Sequence, residues 1–263
     1  YVDDLDKIEI ASSTVPLQAD REQIRSRETN MGNLVTDAYI ALALDGAEDF
    51  GLDINEDRLV ALANGGGIRA TIPPGSITAK QTFDVLPFPN NVAYMPDVAP
   101  EMLHEVMENA VSRIDPSTGI ATGGGTGRFA QISGFRVEFD PNNTAIVYND
   151  DDAQTISVRG TRVRTITLND GTPIVEDGEV VSGAPSVDLL TADYTAGGGD
   201  QYPFRGQPFS TIGLTYQQAL QIYLEEYVGE VNAINYPVRG EGRIVNLAMD
   251  LKQGFTLTVL HNN

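Results

Sequence analysis

The sequence contains no cysteine, which excludes disulfide bonds, thiolate metal ligands and cysteine nucleophiles together. It also lacks tryptophan and has only two histidines, His104 and His261. Hydrolytic metal centres and Ser-His-Asp triads depend on histidines held beside other ligands or partners. His104 falls within a helical pattern and His261 stands near the end, so both are interpreted as structural. We expect no metal ligands and no catalytic residues in this chain.

Long apolar runs and positive charge are also scarce. No apolar run approaches the roughly 18 residues of a membrane span, so none is expected. The chain has 17 Lys and Arg against 37 Asp and Glu, a formal charge of −20. Such a surface repels nucleic acid and anionic membranes, and it suits a salty or extracellular setting. The first residue is Tyr1 rather than Met, which is typical of a processed or truncated product.

The apolar patterns predict helices and strands that are mixed along the chain. Helices are expected from about Met31 to Gly46, with Asn30 as the N-cap, over residues 100–114, and from Thr215, with Gln218 in a capping box. Strands are expected near Ile8, over residues 59–63, along 132–139 and around 155–168, the last before a hairpin turn at 169–171. This mixture predicts a single α+β domain over residues 1–263, with mixed β-sheets and flanking helices.

Residues Gly65, Gly67 and Ala70 fit a G-x-G-x-x-A pattern after a predicted strand. A dinucleotide fingerprint requires a helix to begin there, because the helix N-terminus holds the pyrophosphate. The chain instead runs directly into Pro73 and Pro74, which do not fit a helix interior. The dinucleotide-binding interpretation is therefore rejected. The sequence also contains no P-loop and no G-x-S-x-G motif.

Arginine is sparse overall but concentrated where an anion could bind. Arg21, Arg25 and Arg27 fall within seven residues, and Arg69 ends a glycine-rich loop. The planar guanidinium group donates two parallel hydrogen bonds, a geometry that fits phosphate. The cluster therefore predicts a local anion site in an acidic protein. The alternative is that Arg21 and Arg27 pair with neighbouring carboxylates such as Glu28 on the surface.

Two glycine-rich segments and one aromatic residue add to this signal. The loop 64–69 combines Asn64 with three glycines, which let a backbone approach a ligand closely. The segment 192–202 places Tyr194, a glycine run and Asp200 together, which suits a base and its ribose. Phe88 follows a rigid proline, although by itself it is more typical of a core residue. A simple tight turn remains the alternative for the first loop.

Six blocks of this sequence, in the same order, resemble signatures of the C-terminal domain of the 5′-nucleotidase family. They are residues 25–37, 63–69, 85–88, 127–134, 198–200 and 242–244. The resemblance extends from about residue 7 to Ile244, so it covers nearly the whole chain. Each block is weak alone, but their shared order makes the resemblance specific.

The resemblance implies a nucleotide-binding site in this chain. Its substrate-binding residues would be Arg21, Arg25, Asn64, Arg69, Phe88, Asn90, Gly127, Tyr194 and Asp200. The arginines, with Asn64, would bind the phosphate group, and the two rings would sandwich the base. Asp200 would hold the ribose hydroxyls, Asn90 would touch the base edge, and Gly127 would lie near the site.

The resemblance also implies a two-domain hydrolase in the periplasm or outside the cell. An N-terminal calcineurin-like domain, absent from this sequence, would carry two divalent metals such as Zn or Mn and perform the hydrolysis. This chain would then be the nucleotide-holding partner domain of a 5′-nucleotidase and would be inactive alone. Other parents remain open: a 2′,3′-cyclic phosphodiesterase/3′-nucleotidase, an NAD or nucleotide-sugar pyrophosphatase, or a thiohydrolase, which the two rings disfavour. Interpretations from another class are a free-standing nucleotide-binding module and a structural domain with a decayed pocket.

Four positions depart from the pattern of several family members. Tyr194 stands where several have phenylalanine, which adds a hydroxyl that could alter base preference. Pro89 follows Phe88 where glycine is common, and this affects where Asn90 lies. Gly197 and Gln201 differ from the Asn-Gly-Gly-Asp-Gly pattern of some members, without touching the proposed contacts.

Overall fold

The structure, a computed structural model, describes residues 2–124, 127–149, 153 and 155–249. The strands are β1 Glu9–Ser13, β2 Leu59–Asn64, β3 Gly75–Thr78, β4 Asn91–Val98, β5 Ala130–Ser133, β6 Phe135–Phe139, β7 Val147–Tyr148, β8 Ile156–Val158, β9 Val163–Leu168, β10 Pro173–Glu176, β11 Glu179–Val180, β12 Val187–Ala192, β13 Ser210–Thr215, β14 Glu230–Val231 and β15 Ile244–Asn246. The helices are α1 Val2–Leu5, α2 Arg21–Ile24, α3 Asn30–Asp45, α4 Ala47–Phe50, α5 Ala79–Val85, α6 Pro100–Val111, α7 Asp193–Ala196 and α8 Tyr216–Ile222. Short 3₁₀ turns and one π-helical turn, Tyr223–Val228, complete these elements. Among the described residues, no helix has the length and apolarity to cross a membrane.

A five-stranded mixed sheet, in the order β13-β4-β12-β2-β5, forms the centre of the fold. β12 runs parallel to β2, and the other neighbours pair antiparallel. Every residue of β2 and β12 is buried. Strands that are buried throughout need cover on both faces of the sheet. The predicted α+β class with mixed sheets and flanking helices is confirmed.

Different elements cover the two faces of the central sheet. Alternate side chains of a strand point to opposite faces. On one face, Val60 and Leu62 join a core with α6 and a second five-stranded sheet, β11-β10-β9-β6-β15. On the other face, Ala61 and Ala63 join a core with α3 and α8. The predicted apolar faces of α3 and α6 are buried in these cores, as expected.

The N-terminus of α3 differs from the prediction by one residue. Thr29 is the N-cap, and its hydroxyl oxygen accepts a hydrogen bond from the amide of Gly32 at 3.0 Å. Asn30, the predicted cap, lies inside the first turn, where its side-chain oxygen accepts from the amide of Gln18 at 2.8 Å. Both residue types are good caps, so the tertiary contact of Asn30 decided between them. The predicted stop at Gly46 and the capping box at Thr215 are confirmed.

The apolar stretch 132–139 forms two strands rather than one. β5 pairs with β2 in the central sheet, whereas β6 pairs with β9 in the second sheet. Gly134 separates them with a φ of +86°, and a Cβ there would lie 2.5 Å from the carbonyl oxygen of Leu59. Because only glycine adopts this conformation readily, Gly134 lets one apolar run pass between two sheets. The predicted hairpin turn at 169–171 is confirmed between β9 and β10.

Helix α6 ends at Val111, three residues before the predicted end. The Nη1 atom of the buried Arg162 donates to the carbonyl oxygens of Val111, Ser112 and Ile114, at 2.8, 3.1 and 2.9 Å. Carbonyl groups at a helix end need partners outside the helix. A side chain from a residue 51 positions along the chain therefore terminates this helix.

Gln131, on β5, ties the arginine-bearing segment to the central sheet. Its side chain is fully buried. Its Oε1 atom accepts from the amide of Thr29 at 3.0 Å, and its Nε2 atom donates to the carbonyl oxygens of Ile24 and Arg27 at 3.0 and 2.8 Å. A Cβ at Gly32 would lie 2.1 Å from the same Oε1, so the first turn of α3 packs directly on this amide. One side chain therefore fixes the path of residues 24–32.

Two carboxylates attach the last described strand to the same region. Asp37, on α3, forms a bidentate ion pair with Arg243, at 2.6 and 2.9 Å. Burial lowers the pKa of Arg243, but the hydrogen bonds and the charge of Asp37 outweigh this effect, so the pKa is raised. Glu28 is buried, and its carboxylate accepts from the amides of Glu241 and Arg243. These contacts bring β15 against β6, to which it runs parallel.

The Gln131 network predicts a large stability cost for one exchange. We expect Gln131→Leu to lower the free energy of unfolding by about 2–4 kcal/mol, since each buried partner left unpaired costs about 1–3 kcal/mol. Urea unfolding measures this change. Gln23→Leu is the matched control in the same segment, and we expect it to change stability by less than about 0.5 kcal/mol. Equal unfolding midpoints for the two variants would show that the network does not hold the segment.

Candidate functional site

The candidate residues lie on segments that meet at one edge of the central sheet. β2 and β12 are parallel, so the loop after Asn64 and the segment after Ala192 emerge at the same edge. Val92 pairs with Ala192, which brings the residues before β4 to that edge as well. Ala130 pairs with Asn64, which does the same for the residues before β5. Loops at the carboxyl ends of parallel strands are a common place for ligand sites.

The glycine-rich loop after β2 packs tightly against its neighbours. The amides of Gly65 and Gly66 donate to the carbonyl oxygens of Phe129 and Gly127, at 2.7 and 2.9 Å. A Cβ at Gly65 would lie 2.3 Å from the carbonyl oxygen of Ile24. Glycine is required here because the arginine segment and the loop touch through their backbones. No helix follows the loop, since the next element is β3, so the rejection of the dinucleotide fingerprint is confirmed.

Three guanidinium groups gather beside this loop. Arg25 is buried, whereas Arg21 and Arg69 are exposed. Burial lowers the pKa of Arg25, and the positive charges of Arg21 and Arg69 lower it further, while Asp200 opposes them. The Nη1 atom of Arg69 donates to the carbonyl oxygen of Gly66 at 3.1 Å. The three positive charges repel one another at short range. An anion placed among them would offset this repulsion and would therefore be stabilised.

The carboxylate of Asp200 lies next to this cationic group. Its Oδ2 atom accepts from Nδ2 of Asn64 at 2.7 Å. A Cβ at Gly127 would lie 2.3 Å from the same oxygen, and a Cβ at Gly66 would lie 3.3 Å from it. Gly127, expected near the site, is therefore in contact with Asp200. Asn64 lies against the carboxylate, and its side-chain oxygen accepts from Thr195 at 3.4 Å.

Tyr194 is half-exposed and lies over the glycine turn that precedes Asp200. A Cβ at Gly199 would lie 2.4 Å from its ring, so one side of the ring rests on that glycine. Its hydroxyl oxygen accepts from the amide of Asp200 at 3.2 Å. Burial and the negative charge of Asp200 raise the pKa of Tyr194. The hydroxyl that phenylalanine would lack thus contacts the carboxylate-bearing turn.

Phe88 is 45% exposed and stands beside the arginines. Its ring centroid lies 5.9 Å from Cζ of Arg69, within the range of a cation–π contact. Buried Tyr216 fixes the loop at two points: its hydroxyl accepts from the amide of Phe88 at 2.9 Å, and its amide donates to the carbonyl oxygen of Asn90 at 3.0 Å. Burial raises the pKa of Tyr216 to about 12. Buried Tyr216 therefore fixes the backbone of the loop that carries the exposed Phe88 ring.

A further contact joins the two aromatic segments. The amide and the side chain of Asn91 both donate to Oδ2 of Asp193, at 3.1 and 3.0 Å. Asp193 directly precedes Tyr194, and Asn91 follows the Phe88 loop. The two exposed rings consequently project from segments that are connected to each other across β4 and β12.

The structure thus brings together most of the residues that the sequence singled out. Contacts or electrostatic coupling connect Arg21, Arg25, Asn64, Arg69, Phe88, Gly127, Tyr194 and Asp200. Asn90 is half-buried and joins them through its backbone contact with Tyr216. Arg27 is exposed, and its carbonyl oxygen is held by Gln131. Glu28, the alternative partner of the arginines, is engaged with Asn33 and with backbone amides.

Four residues of this region were given no role by the sequence reasoning. Gln131 and Arg128 belong to a motif block but carry no chemical signal of their own. Tyr216 and Asn109 lie far from the other blocks in sequence and reach the site only through the fold. A polar residue within an apolar strand pattern indicates a buried side chain that needs hydrogen-bond partners. Of these four residues, only Gln131 shows this signal in the sequence.

A sizeable cleft in the described part of the chain lies elsewhere. It is a cleft of about 790 Å³ whose lining includes Asp53, Tyr94, Asp97, Asp188 and Phe209. Tyr94 and Asp97 lie towards the end of β4, away from Asn91, so this cleft opens at the opposite edge of the central sheet. It carries an excess of carboxylates, whereas the candidate site collects guanidinium groups and exposed rings. We identify the site by this chemistry rather than by cavity size.

Comparison with known proteins agrees with the motif blocks. A family model described as the 5′-nucleotidase C-terminal domain matches residues 9–206. A 5′-nucleotidase of Vibrio parahaemolyticus is 27% identical over 238 residues, which cover 89% of this chain and 33% of that protein. A trifunctional nucleotide phosphoesterase protein of Bacillus subtilis is 31% identical over 142 residues, which cover 54% of this chain and 8% of that protein.

A solved structure has a similar fold. A 5′-nucleotidase precursor from Thermus thermophilus matches with a TM-score of 0.70 and 28% identity, over 94% of this chain and 41% of that one. The chain therefore spans less than half the length of each of these relatives. The resemblance drawn from the sequence is confirmed: this chain belongs to the 5′-nucleotidase C-terminal domain family.

Proposed function

We propose that this chain is the nucleotide-holding domain of a 5′-nucleotidase-type phosphohydrolase. The observation that carries the proposal is the grouping of two exposed rings, a carboxylate and arginines. Tyr194 contacts Asp200, Arg69 contacts Phe88, and Arg25 is electrostatically coupled to both Asp200 and Arg69. This grouping presents an aromatic ring, a carboxylate, a cationic group and a second aromatic ring along one edge. A nucleoside 5′-phosphate offers the matching parts: a base, sugar hydroxyls and a phosphate group.

The cationic group fits a phosphate group for an electrostatic reason. In a chain of charge −20, an anion is attracted only where cations are concentrated locally. Arg21, Arg25 and Arg69 supply that concentration, and a buried guanidinium group forms stronger charge-assisted hydrogen bonds than an exposed one. Whether Asn64 also reaches the phosphate group stays a prediction, because its amide contacts Asp200 in this structure.

The two rings fit a base that stacks between them. Phe88 and Tyr194 are 45% and 48% exposed, which leaves ring surface for a ligand. Stacking of a base on an aromatic ring contributes about 1–3 kcal/mol and tolerates different bases. Asp200 would accept hydrogen bonds from the ribose hydroxyls, and Asn90 would contact the base edge.

The chemistry of hydrolysis is assigned to a partner domain. In the described part of the chain, no three His, Asp or Glu side chains converge as metal ligands. His104 is buried within α6, with Nε2 3.7 Å from Glu108, and His261 lies outside the described residues. These residues do not fit a pair of divalent metals, so we propose that a separate metallophosphoesterase domain carries the metals. This chain would supply binding and orientation.

Two related functions remain candidates for the parent protein. The trifunctional phosphoesterase relative favours considering other nucleotide esters, such as 2′,3′-cyclic nucleotides, beside 5′-monophosphates. A nucleotide-sugar or NAD pyrophosphatase would use the same pocket for its nucleotide half. We propose a periplasmic or extracellular location, which fits the strongly acidic composition.

The arginines should discriminate between a nucleotide and its nucleoside. We expect Arg69→Gln to weaken AMP binding roughly 10- to 100-fold, because a charge-assisted hydrogen bond contributes about 1.5–3 kcal/mol. Adenosine binding should change much less, since it loses only the support that Arg69 gives to the Phe88 ring. Titration calorimetry of the 263-residue chain measures both affinities, and Arg58→Gln, at the opposite edge of the sheet, controls for the change in net charge. Equal affinities of the wild type for AMP and adenosine would contradict a phosphate site.

The exposed rings should act on the base and not on the phosphate group. We expect Phe88→Ala to weaken AMP and adenosine binding by a similar factor, about 5- to 100-fold, through lost stacking. Phe83→Ala is the matched control, since Phe83 is also 45% exposed but lies on α5. The same calorimetric titration applies. A loss confined to AMP would assign Phe88 to the arginine group instead of to the base.

The assignment of hydrolysis to a partner domain gives a third expectation. The purified chain should release no phosphate from AMP, with or without added Mn²⁺ or Zn²⁺, because its described residues offer no site for a metal pair. A colorimetric phosphate assay checks this, with a full-length family member as the positive control. Metal-dependent release of phosphate by the chain alone would contradict the assignment of hydrolysis to a separate domain.

A further inference from the structure

A buried arginine, Arg128, is electrostatically coupled to Asp200. Arg128 is 9% exposed, and its Nη1 atom donates to Oδ1 of Asn109 and Oγ of Ser112, both at 3.3 Å. Its Nη2 atom donates to Oε1 of Gln201. Its carbonyl oxygen accepts from the hydroxyl of Tyr202 at 2.7 Å. Arg128 therefore joins the end of α6 to the residues that directly follow Asp200.

The backbone at this point is in an unusual conformation. Asp200 and Gln201 have φ values of +55° and +62°, so two consecutive residues with side chains adopt the left-handed region. This conformation is unfavourable for residues other than glycine and persists only when surrounding contacts hold it. The contact between Gln201 and Arg128 is one restraint that a glycine at position 201 could not provide.

Asp200 itself is restrained from several directions. Its amide donates to the hydroxyl of Tyr194 at 3.2 Å, its carbonyl oxygen accepts from Asn109 at 3.4 Å, and its Oδ2 accepts from Asn64 at 2.7 Å. Asn109 contacts Arg128 through the other atom of its amide. The arginine and the carboxylate therefore share one connected set of hydrogen bonds.

We infer that Arg128 and Gln201 are positioning residues, which hold the Asp200 carboxylate in the orientation that selects a ligand with vicinal sugar hydroxyls. This inference rests on the proposed nucleotide-binding function. A carboxylate held in place before binding loses little freedom when hydroxyl groups approach it, so more of the hydrogen-bond energy appears as affinity. A carboxylate on a loose turn would lose more freedom on binding, so its preference for a sugar with hydroxyls would be weaker.

The test compares a nucleoside with and without the sugar hydroxyls. Adenosine and 2′,3′-dideoxyadenosine are titrated into the 263-residue chain by calorimetry. We expect the wild type to prefer adenosine at least about tenfold, as charged hydrogen bonds to hydroxyls allow. Gln201→Leu should reduce this preference to less than about threefold, without changing the affinity for the dideoxynucleoside.

Two further variants separate positioning from general disruption. Gln201→Glu keeps an oxygen that accepts from Arg128, so it should retain the adenosine preference. Gln207→Leu makes the same exchange at a residue whose side chain donates to the carbonyl oxygen of Pro96, towards the other end of β4, and it should have no effect. Gln201 is half-buried, so its variants are better suited to this test than variants of the buried Arg128.

The outcomes distinguish the inference from the function on which it rests. If the wild-type chain binds neither nucleoside, the proposed function fails and the inference fails with it. If the wild type prefers adenosine and Gln201→Leu keeps that preference, only the positioning role is wrong. Equal weakening of both nucleosides in Gln201→Leu would also overturn the inference, because a structural defect does not single out the hydroxyls.

Discussion

The hydrogen bonds of Gln131 are the constraint on which the candidate site depends. A fully buried amide accepts from Thr29 and donates to Ile24 and Arg27, so a segment without long secondary structure follows one path. That path places Arg25 against the glycine loop and starts α3 at the correct point. A buried polar group is costly unless all its partners are present. The same amide that would destabilise the core if unpaired therefore gives the arginine segment a unique position.

Charge acts at two scales in this molecule. The whole chain is strongly acidic, whereas one edge of the central sheet gathers guanidinium groups around the buried Arg25. Burial strengthens electrostatic interactions because protein screens charge less than water does. A small cationic region can thus attract an anion within an acidic surface. The cleft at the opposite edge differs, because carboxylates outnumber the one arginine among the residues that line it.

The two rings of the candidate site are exposed, but the groups that hold their segments are buried. Phe88 and Tyr194 show nearly half of their surfaces, while Tyr216, Asn64 and Arg128 lie inside. Tyr216 accepts from the amide of Phe88, Asn64 donates to the carboxylate of Asp200, and Arg128 donates to the side chain of Gln201. Such an arrangement limits the loss of freedom on binding. It also explains the glycines at the site. Gly66 and Gly127 leave room for the Asp200 carboxylate between two backbones, where any side chain would collide.

The sequence by itself determined the class of the fold, the buried faces of α3 and α6, and the identity of the family, because these depend on periodicity and on local motifs. It also named the aromatic, cationic and acidic residues that gather at one edge. It misplaced the cap at Asn30 and joined β5 to β6, since the deciding contacts come from residues distant in sequence. Only the tertiary structure showed the hydrogen bonds of Gln131, Tyr216 and Arg128. A side chain that acts by holding a backbone from elsewhere leaves no pattern in its own neighbourhood, so its function is decided by the fold.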